Sequence, residues 1–504
     1  MLFRSGRLDE AALDLACERI LKIAFRYAEN KISGTMNLDQ DSALAKRIAE
    51  QSMVLLKNDG ALPLARNEKI LFVGPFAKAP RYQGGGSSKT KSIMVKSALD
   101  AAGESVDYLE GFSDLRLNLN GQLLREVLDR IASYEKVVVF AGLPEIKESE
   151  GYDRKTLELP EYQNHAIAAI AAVCANTSVV LYNGSPVEMP WISQVNAVLE
   201  GYLGGQEAGP ATVSLLFGDE NPSGRLAETF PLRLEDNPSY LYYFGEDDRV
   251  EYREGVFVGY RYYESKKAPV LFPFGFGLSY TQFACSNLRI SQKEIDCEDS
   301  LQVSVDVTNT GTRSGREVVQ LYVAPHKGGV IRPVRELKGF AKVKLEPGET
   351  QTVKFTLTSR SFAYWNMALN NWHVESGHYD IEIRKNARDG LLSDTVRINS
   401  RPVIAEVTEM SLISDFIKTK TGSAFWAEIM PALTAVLARM FPEMHEQRQE
   451  MENLSAGESQ SALLLSQPIS MVQRFMGIDD ITFKNLIDEI NKEFRQSRQS
   501  SIGG

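Results

Sequence analysis

The residues of this chain with the most obvious chemical capacity sit in one short stretch. Glu145, Glu148, Glu150 and Asp153 all fall within Ala141–Arg154, a loop that opens where an apolar run ends. Carboxyl groups crowded together raise one another's pKa, because ionising one beside another costs Coulomb energy. A carboxyl that keeps its proton near neutral pH can donate it to a leaving group and later take one from water. From residue types alone the same loop reads first as a solvated acidic surface, the commoner fate of charged loops. Asp153 and Arg154 are placed to pair, and a structural salt bridge is the first reading of them. The second candidate is Gln83-Gly-Gly-Gly-Ser-Ser88. Gly85 and Gly86 would let the backbone come close to a ligand, with Ser87 and Ser88 beside them. A tight structural turn is the alternative. No GxxxxGK[ST] or GxGxxG pattern is present, which argues against a phosphate-binding or nucleotide-binding protein.

Other chemistry is excluded by composition. Cys17, Cys174, Cys285 and Cys297 form no CxxC pair and have no histidine at metal-ligand spacing, so no metal or cofactor is expected. They read as buried or incidental thiols of a reducing compartment. The formal net charge of −10 disfavours nucleic acid and anionic membranes and favours a neutral or small ligand. No apolar run approaches the roughly 20 residues a membrane helix needs. The opening residues are helical and charged, unlike a signal peptide, so a cytoplasmic location is expected.

These residues need a scaffold, and the hydrophobic periodicity predicts one. Arg7–Asn30 reads as an amphipathic helix with Leu8, Ala11, Leu15, Ile20 and Ile23 on one stripe. A second helix is predicted from Asp41 to Leu56, stopped by Lys57-Asn-Asp-Gly60. Then strands at Ile70–Val73, Val106–Leu109, Val137–Phe140, Val179–Tyr182 and Ala197–Glu200 alternate with helices at Val95–Ala102, Leu123–Ile131, Pro160–Ala175 and Gly209–Phe217. Fully apolar strands alternating with helices predict an α/β fold with a mostly parallel sheet covered on both faces. Ligands of such sheets sit beyond the carboxyl ends of the strands, which is where both candidate loops lie.

After Thr281 the pattern becomes that of a small β-sandwich. Leu301–Val307 alternates strictly, Val318–Val323, Thr352–Leu357 and Tyr379–Arg384 read as strands, and Asn309-Thr-Gly311 and Glu346-Pro-Gly-Glu349 supply turns. Beyond Arg401 the chain is helical. Phe483, Leu486, Ile487, Ile490 and Phe494 share one face, and Gln447–Gln460 reads as a loose polar linker. The expected organisation is a connector helix and linker over 1–40, an α/β sandwich over 41–281, a second sandwich over 284–398 and a helical extension over 402–504.

An ordered set of motifs resembles glycoside hydrolase family 3. Ser52-Met-Val-Leu-Leu-Lys-Asn58 with Leu62-Pro-Leu64 looks like the start of that family's α/β sandwich, as does Val73-Gly-Pro75 with Gln83–Ser88. Glu150-Gly-Tyr-Asp-Arg154, with Leu159-Pro160 and Gln163, is similar to the family's acid/base loop. Gly205-Gln-Glu207, Leu215-Leu-Phe-Gly-Asp219, Asn221-Pro-Ser-Gly-Arg225, Thr229-Phe-Pro231 and Phe272–Thr281 match its later landmarks. Arg335–Phe340 falls in what would be its fibronectin type III-like domain. The resemblance covers roughly residues 10–398.

The resemblance implies that Glu150 is the acid/base, with Glu148 as the runner-up, and that Gly85, Gly86, Ser87 and Ser88 help shape the sugar site. Gly151 would let the backbone turn sharply and present the carboxyl to a second domain. Trp191, Tyr202 and Tyr262 could stack on sugar faces, although core packing is the commoner role of such residues. His165 reads as packing or solvent-exposed, and Asn183-Gly-Ser-Pro186 as a turn. Enzymes of the family begin with a β/α barrel carrying an aspartate nucleophile in a Ser-Asp-Trp-like motif. Ser113-Asp114, Ser393-Asp394 and Ser414-Asp415 precede no tryptophan, so the chain is expected to lack barrel and nucleophile, as a fragment, a split-enzyme subunit or a degenerate product. Its partners would be a β-glucoside or oligosaccharide and a barrel in cis or in trans. The function implied is part of an exo-acting retaining β-glycosidase. A noncatalytic carbohydrate-binding or scaffolding protein is the alternative.

Overall fold

The computed structural model describes residues 6, 8–31, 34, 36–113, 120–326, 328–367, 369–400, 406–440 and 465–502. Two compact units form, Met1–Arg225 with Gly277–Tyr280, and Leu226–Phe276 with Thr281–Gly504.

The first unit opens with two helices, α1 (Glu10–Glu29) and α2 (Leu38–Ser52), each started by a side chain that accepts a free N–H of the first turn. Asp9 accepts from Ala11 and Asn37 from Gln40, as polar N-caps do. None of the side chains of α1 is buried. The second helix ends at Ser52, short of the expected Leu56, and the chain continues as strand β1 (Val54–Asn58). Val54 and Leu55 are fully buried and Leu56 nearly so. Such a run carries no period that separates a strand from a helix, so the sequence pattern does not locate this boundary.

Strands β2 (Ile70–Val73), β3 (Asp107–Leu109), β4 (Lys136–Gly142), β5 (Thr177–Tyr182) and β6 (Ala197–Glu200) complete a six-stranded sheet in the order β1-β6-β5-β4-β2-β3. The strands β2 to β6 pair in parallel, and β1 lies antiparallel to β6 at the edge. Helices α3 (Ala98–Ala102), α4 (Asn120–Arg130), α5 (Glu161–Val173) and α6 (Ala208–Leu216) join them. Phe72, Phe140, Val180, Tyr182 and Leu199 form the core under one layer of helices. Numbered among themselves, the five parallel strands run 2-1-3-4-5 across the sheet. The winding direction therefore reverses between β2 and β4, the position where sheets of this kind place their ligands.

In the second unit, helix α7 (Tyr260–Lys266) precedes a β-sandwich. One sheet contains β8 (Glu294–Asp296), β10 (Gly315–Pro325), β11 (Glu336–Leu345), β15 (Gly377–Arg384) and β16 (Gly390–Asn399). The other contains β7 (Phe283–Ile290), β9 (Leu301–Asn309) and β12 (Thr350–Leu357). Leu301, Val303, Val305 and Val307 of β9 point inward against Leu321, Val323, Ile381 and Ile383, the alternation read in the sequence. A short helix, α8 (Ser359–Phe362), leads to a hairpin of β13 (Tyr364–Asn366) and β14 (Asn371–His373). The last helices are α9 (Ile413–Phe416), α10 (Lys420–Met440), α11 (Ile469–Met476) and α12 (Asp480–Ile502). They have a core of their own, in which Phe483 and Ile490 are buried and Leu486 and Ile487 pack against it. The side chain of Phe494 and the expected linker Gln447–Gln460 lie outside the described residues. Ser393 and Asp394 lie on β16 and Ser414 and Asp415 in α9, whereas Asp114 is outside the described residues. Among the described residues no helix is long and apolar enough to cross a membrane.

Candidate active site

Strand β4 ends on a residue that only glycine can occupy. Gly142 has φ +151°, and a Cβ there would stand 2.2 Å from the Tyr182 carbonyl oxygen of neighbouring β5. Its N–H is received by the side-chain oxygen of the fully buried Gln163, at 2.9 Å. From this fixed point the acidic loop departs at the switch point between β2 and β4.

The two loops singled out in the sequence meet there. Gly85 pairs with Ser149 as an isolated parallel bridge, and the Gly85 N–H reaches the Glu148 carbonyl at 3.3 Å. Residues Gly86–Ser88 make one 3-10 turn with Gly86 at φ +84°, and an added Cβ on Gly86 would stand 2.5 Å from the Glu150 Cβ. The Ser87 N–H donates to the Glu150 carboxylate at 2.7 Å. Ser88 turns its hydroxyl back to the Gly85 carbonyl at 3.3 Å. The expected turn at Gly151 is present, with φ +75°. The Gly-rich loop is thus both a tight turn and the wall against which Glu150 rests.

Three carboxylates of the loop, Glu145, Glu148 and Glu150, have separate partners. Glu145 is exposed and paired with Lys89 at 2.8 Å, which raises the lysine's pKa. Glu148 is nearly buried. It accepts from Arg81, from the Ser185 hydroxyl at 2.5 Å and from the Gly184 N–H at 2.8 Å, with Arg154 at 3.8 Å. Glu150 is exposed, and no Lys or Arg pairs with it among the described residues. The expectation that crowding raises the pKa of the acid is corrected here. Ser87, through its hydroxyl and then its backbone N–H, holds the Glu150 carboxyl below its ordinary range. Donors that favour the ionised form outweigh the small opposing effect of desolvation.

The remaining candidates are placed as follows. Arg154 donates to the Ser185 hydroxyl at 2.7 Å and the Pro186 carbonyl at 3.1 Å, so it anchors the loop to the chain leaving β5. Trp191 is buried and donates to Asn164 at 2.9 Å, a packing role. Tyr262 accepts from Lys266 at 2.7 Å and packs edge-on to Tyr263. Tyr202 is half-buried at φ +50°, with its N–H on the buried Glu200 at 3.0 Å. His165 is solvent-exposed. Sequence reading passes over Arg81 and takes Ser185 only as part of the turn Asn183–Pro186. The guanidinium of Arg81 is almost wholly enclosed, which for arginine requires a partner, but that partner is 67 residues away.

Comparison with known proteins gives two family matches. The glycosyl hydrolase family 3 C-terminal domain matches residues 53–280, and the fibronectin type III-like domain matches residues 317–387. The chain is similar to a thermostable β-glucosidase B of Acetivibrio thermocellus, 44% identical over 499 residues, covering 97% of this chain and 64% of that protein. It is 38% identical over 448 residues to an exo-α-(1→6)-L-arabinopyranosidase of Bifidobacterium breve, covering 86% of this chain and 58% of that protein. Among solved structures, a β-glucosidase of Bifidobacterium adolescentis superposes with a TM-score of 0.78 at 38% identity, covering 84% of this chain and 63% of the other. The chain therefore spans just under two thirds of the length of these relatives.

Proposed function

Because the chain belongs to glycoside hydrolase family 3, with its C-terminal and fibronectin type III-like domains, we propose that it supplies the general acid/base, Glu150, of an exo-acting retaining β-glycosidase. The substrate is a terminal β-glucosyl or closely related residue. The nucleophile is an aspartate of a β/α barrel, joined in cis or brought in trans. Gly85, Gly86, Ser87 and Ser88 line the same rim.

The observation that carries this reading is the state of Glu150. Its carboxylate is exposed at the switch point of the sheet, oriented by a backbone N–H and unpaired with any cation among the described residues. A retaining glycosidase needs a second carboxyl about 5 Å away. The charge of an arriving aspartate would raise the Glu150 pKa by repulsion and so protonate it for the first step. The aspartate then attacks the anomeric carbon while Glu150 gives its proton to the departing oxygen. Water, losing a proton to Glu150, next attacks that carbon and frees the aspartate. Without the nucleophile the covalent step has no route, so the chain alone is expected to turn over little or no substrate.

The test is hydrolysis of 4-nitrophenyl and phenyl β-glucosides by the chain alone and after addition of a family 3 barrel polypeptide. Restored activity that E150Q lowers by about 10²–10⁴ in kcat/KM on the phenyl substrate is the expected result. Equal activity of E150Q and the unsubstituted chain would remove Glu150 from the chemistry. Binding of oligosaccharide with no restored hydrolysis would favour a noncatalytic carbohydrate-binding or scaffolding role.

A further inference from the structure

We propose that Glu148 is a positioning residue for this site: it ties the loop after β4 to the loops after β2 and β5, and so sets where Glu150 stands. The inference rests on the reading of Glu150 as acid/base. An ionised carboxylate is acceptor-only, and here both oxygens are used. One oxygen takes the Ser185 hydroxyl at 2.5 Å, with Arg154 at 3.8 Å; the other takes Arg81 and the Gly184 N–H at 2.8 Å. Arg81 follows β2 and Gly184–Ser185 follow β5, so one side chain joins three strand ends. The main chain of the same residue repeats the connection, because its carbonyl accepts from Arg81 at 3.2 Å and from the Gly85 N–H at 3.3 Å. The side chains of Glu148 and Arg81 are 11% and 5% exposed, so the pair is shielded from solvent screening.

Glu150 is two residues further on, and between them Ser149 lies against Gly85, where an added Cβ would come 2.9 Å from the Ser149 Oγ. The path from the tie to the acid/base is thus short and closely packed. Glu145 of the same loop forms an exposed pair with Lys89, apart from the Glu148 contacts. Rigid support one step behind a reacting group is what holds it within the narrow tolerance that catalysis requires.

The test separates positioning from mere stability by following Glu150 itself. Carboxyl carbon NMR of the unsubstituted chain, with E150Q to assign the resonance, gives the titration of Glu150 in its contact with Ser87. E148Q keeps the shape of the side chain but turns an amide nitrogen toward groups that are all donors. It is expected to shift the Glu150 titration upward while circular dichroism shows a folded chain. If E148Q does not fold, S185A removes one donor and should shift Glu150 in the same direction by less. An unchanged Glu150 titration in the folded variant, accompanied only by a lower Tm, overturns the inference. In the barrel-completed assembly E148Q should lose more rate on phenyl than on 2,4-dinitrophenyl β-glucoside, since the better leaving group needs less protonation; equal losses also overturn it. E150Q without effect on that rate would instead defeat the acid/base assignment, while the NMR shift would still report whether Glu148 positions Glu150.

Discussion

Gly86 is where a single methyl group should bear most directly on Glu150. Its φ of +84° is left-handed, which costs a residue with a Cβ about 1–2 kcal/mol. The new methyl would also stand 2.5 Å from the Glu150 Cβ, a backbone-proximal atom that cannot swing aside like the end of a long side chain. G86A is therefore expected to push the 148–150 segment off the Gly-rich loop, breaking the Ser87–Glu150 hydrogen bond. In the completed enzyme a displacement of that order corresponds to about a 100-fold loss in kcat/KM. Wild-type kinetics from G86A would show that the contact is dispensable. The loop containing Glu150 was legible in the sequence because its carboxylates and glycines cluster locally. Its electrostatics were not, because the groups that answer those carboxylates come from elsewhere: Lys89 for Glu145, Arg81 for Glu148 and Ser87 for Glu150. Each lies more than 50 residues away, and no spacing rule links such pairs.

Asp306 on β9 shows how a half-buried strand position becomes sensitive to pH. Its carboxylate receives Arg289 at 2.8 Å, Thr352 at 2.7 Å and Asn287 at 3.0 Å, from the two strands that flank β9. The Arg289 guanidinium, followed by the Thr352 and Asn287 donors, holds its pKa well below the ordinary aspartate value. A depressed folded-state pKa stabilises the fold fully above the unfolded value of about 3.9, and that contribution fades as pH falls further. D306N should thus lower the Tm of the chain at pH 7, with the gap to the unsubstituted protein narrowing as pH drops below about 4; a gap constant from pH 7 to pH 3 would refute this. The strand bearing Asp306 was readable because one face is buried and the other wet. Strand β11 alternates only weakly between half-buried and exposed positions, and β1 is buried throughout its apolar run, so neither presents a clean period of two. The winding reversal between β2 and β4 was equally hidden, because strand order is a property of the assembled sheet.

The whole chain presents apolar surface that its described structure does not cover. In α1, Ile20, Ile23 and Tyr27 follow helical spacing yet are 68%, 70% and 72% exposed, and no side chain of that helix is buried. In proteins most helical stability comes from packing an apolar face, and contiguous exposed apolar surface marks a binding face. The proposed barrel gives this face a use, since more than a third of each relative's chain lies outside the match. The paired substitution I20D and I23D separates a docking face from a folding face. Aspartate at two solvent-facing positions changes the chain's own stability by no more than about 0.5 kcal/mol each, so the Tm of the isolated chain should hold nearly constant. The same chain should fail to restore glucoside hydrolysis when the barrel polypeptide is added, because two charges would be buried without partners at the contact. A fall in the Tm of the isolated chain would mean that α1 already packs within it, and restored hydrolysis by the double variant would place the docking face elsewhere on the molecule.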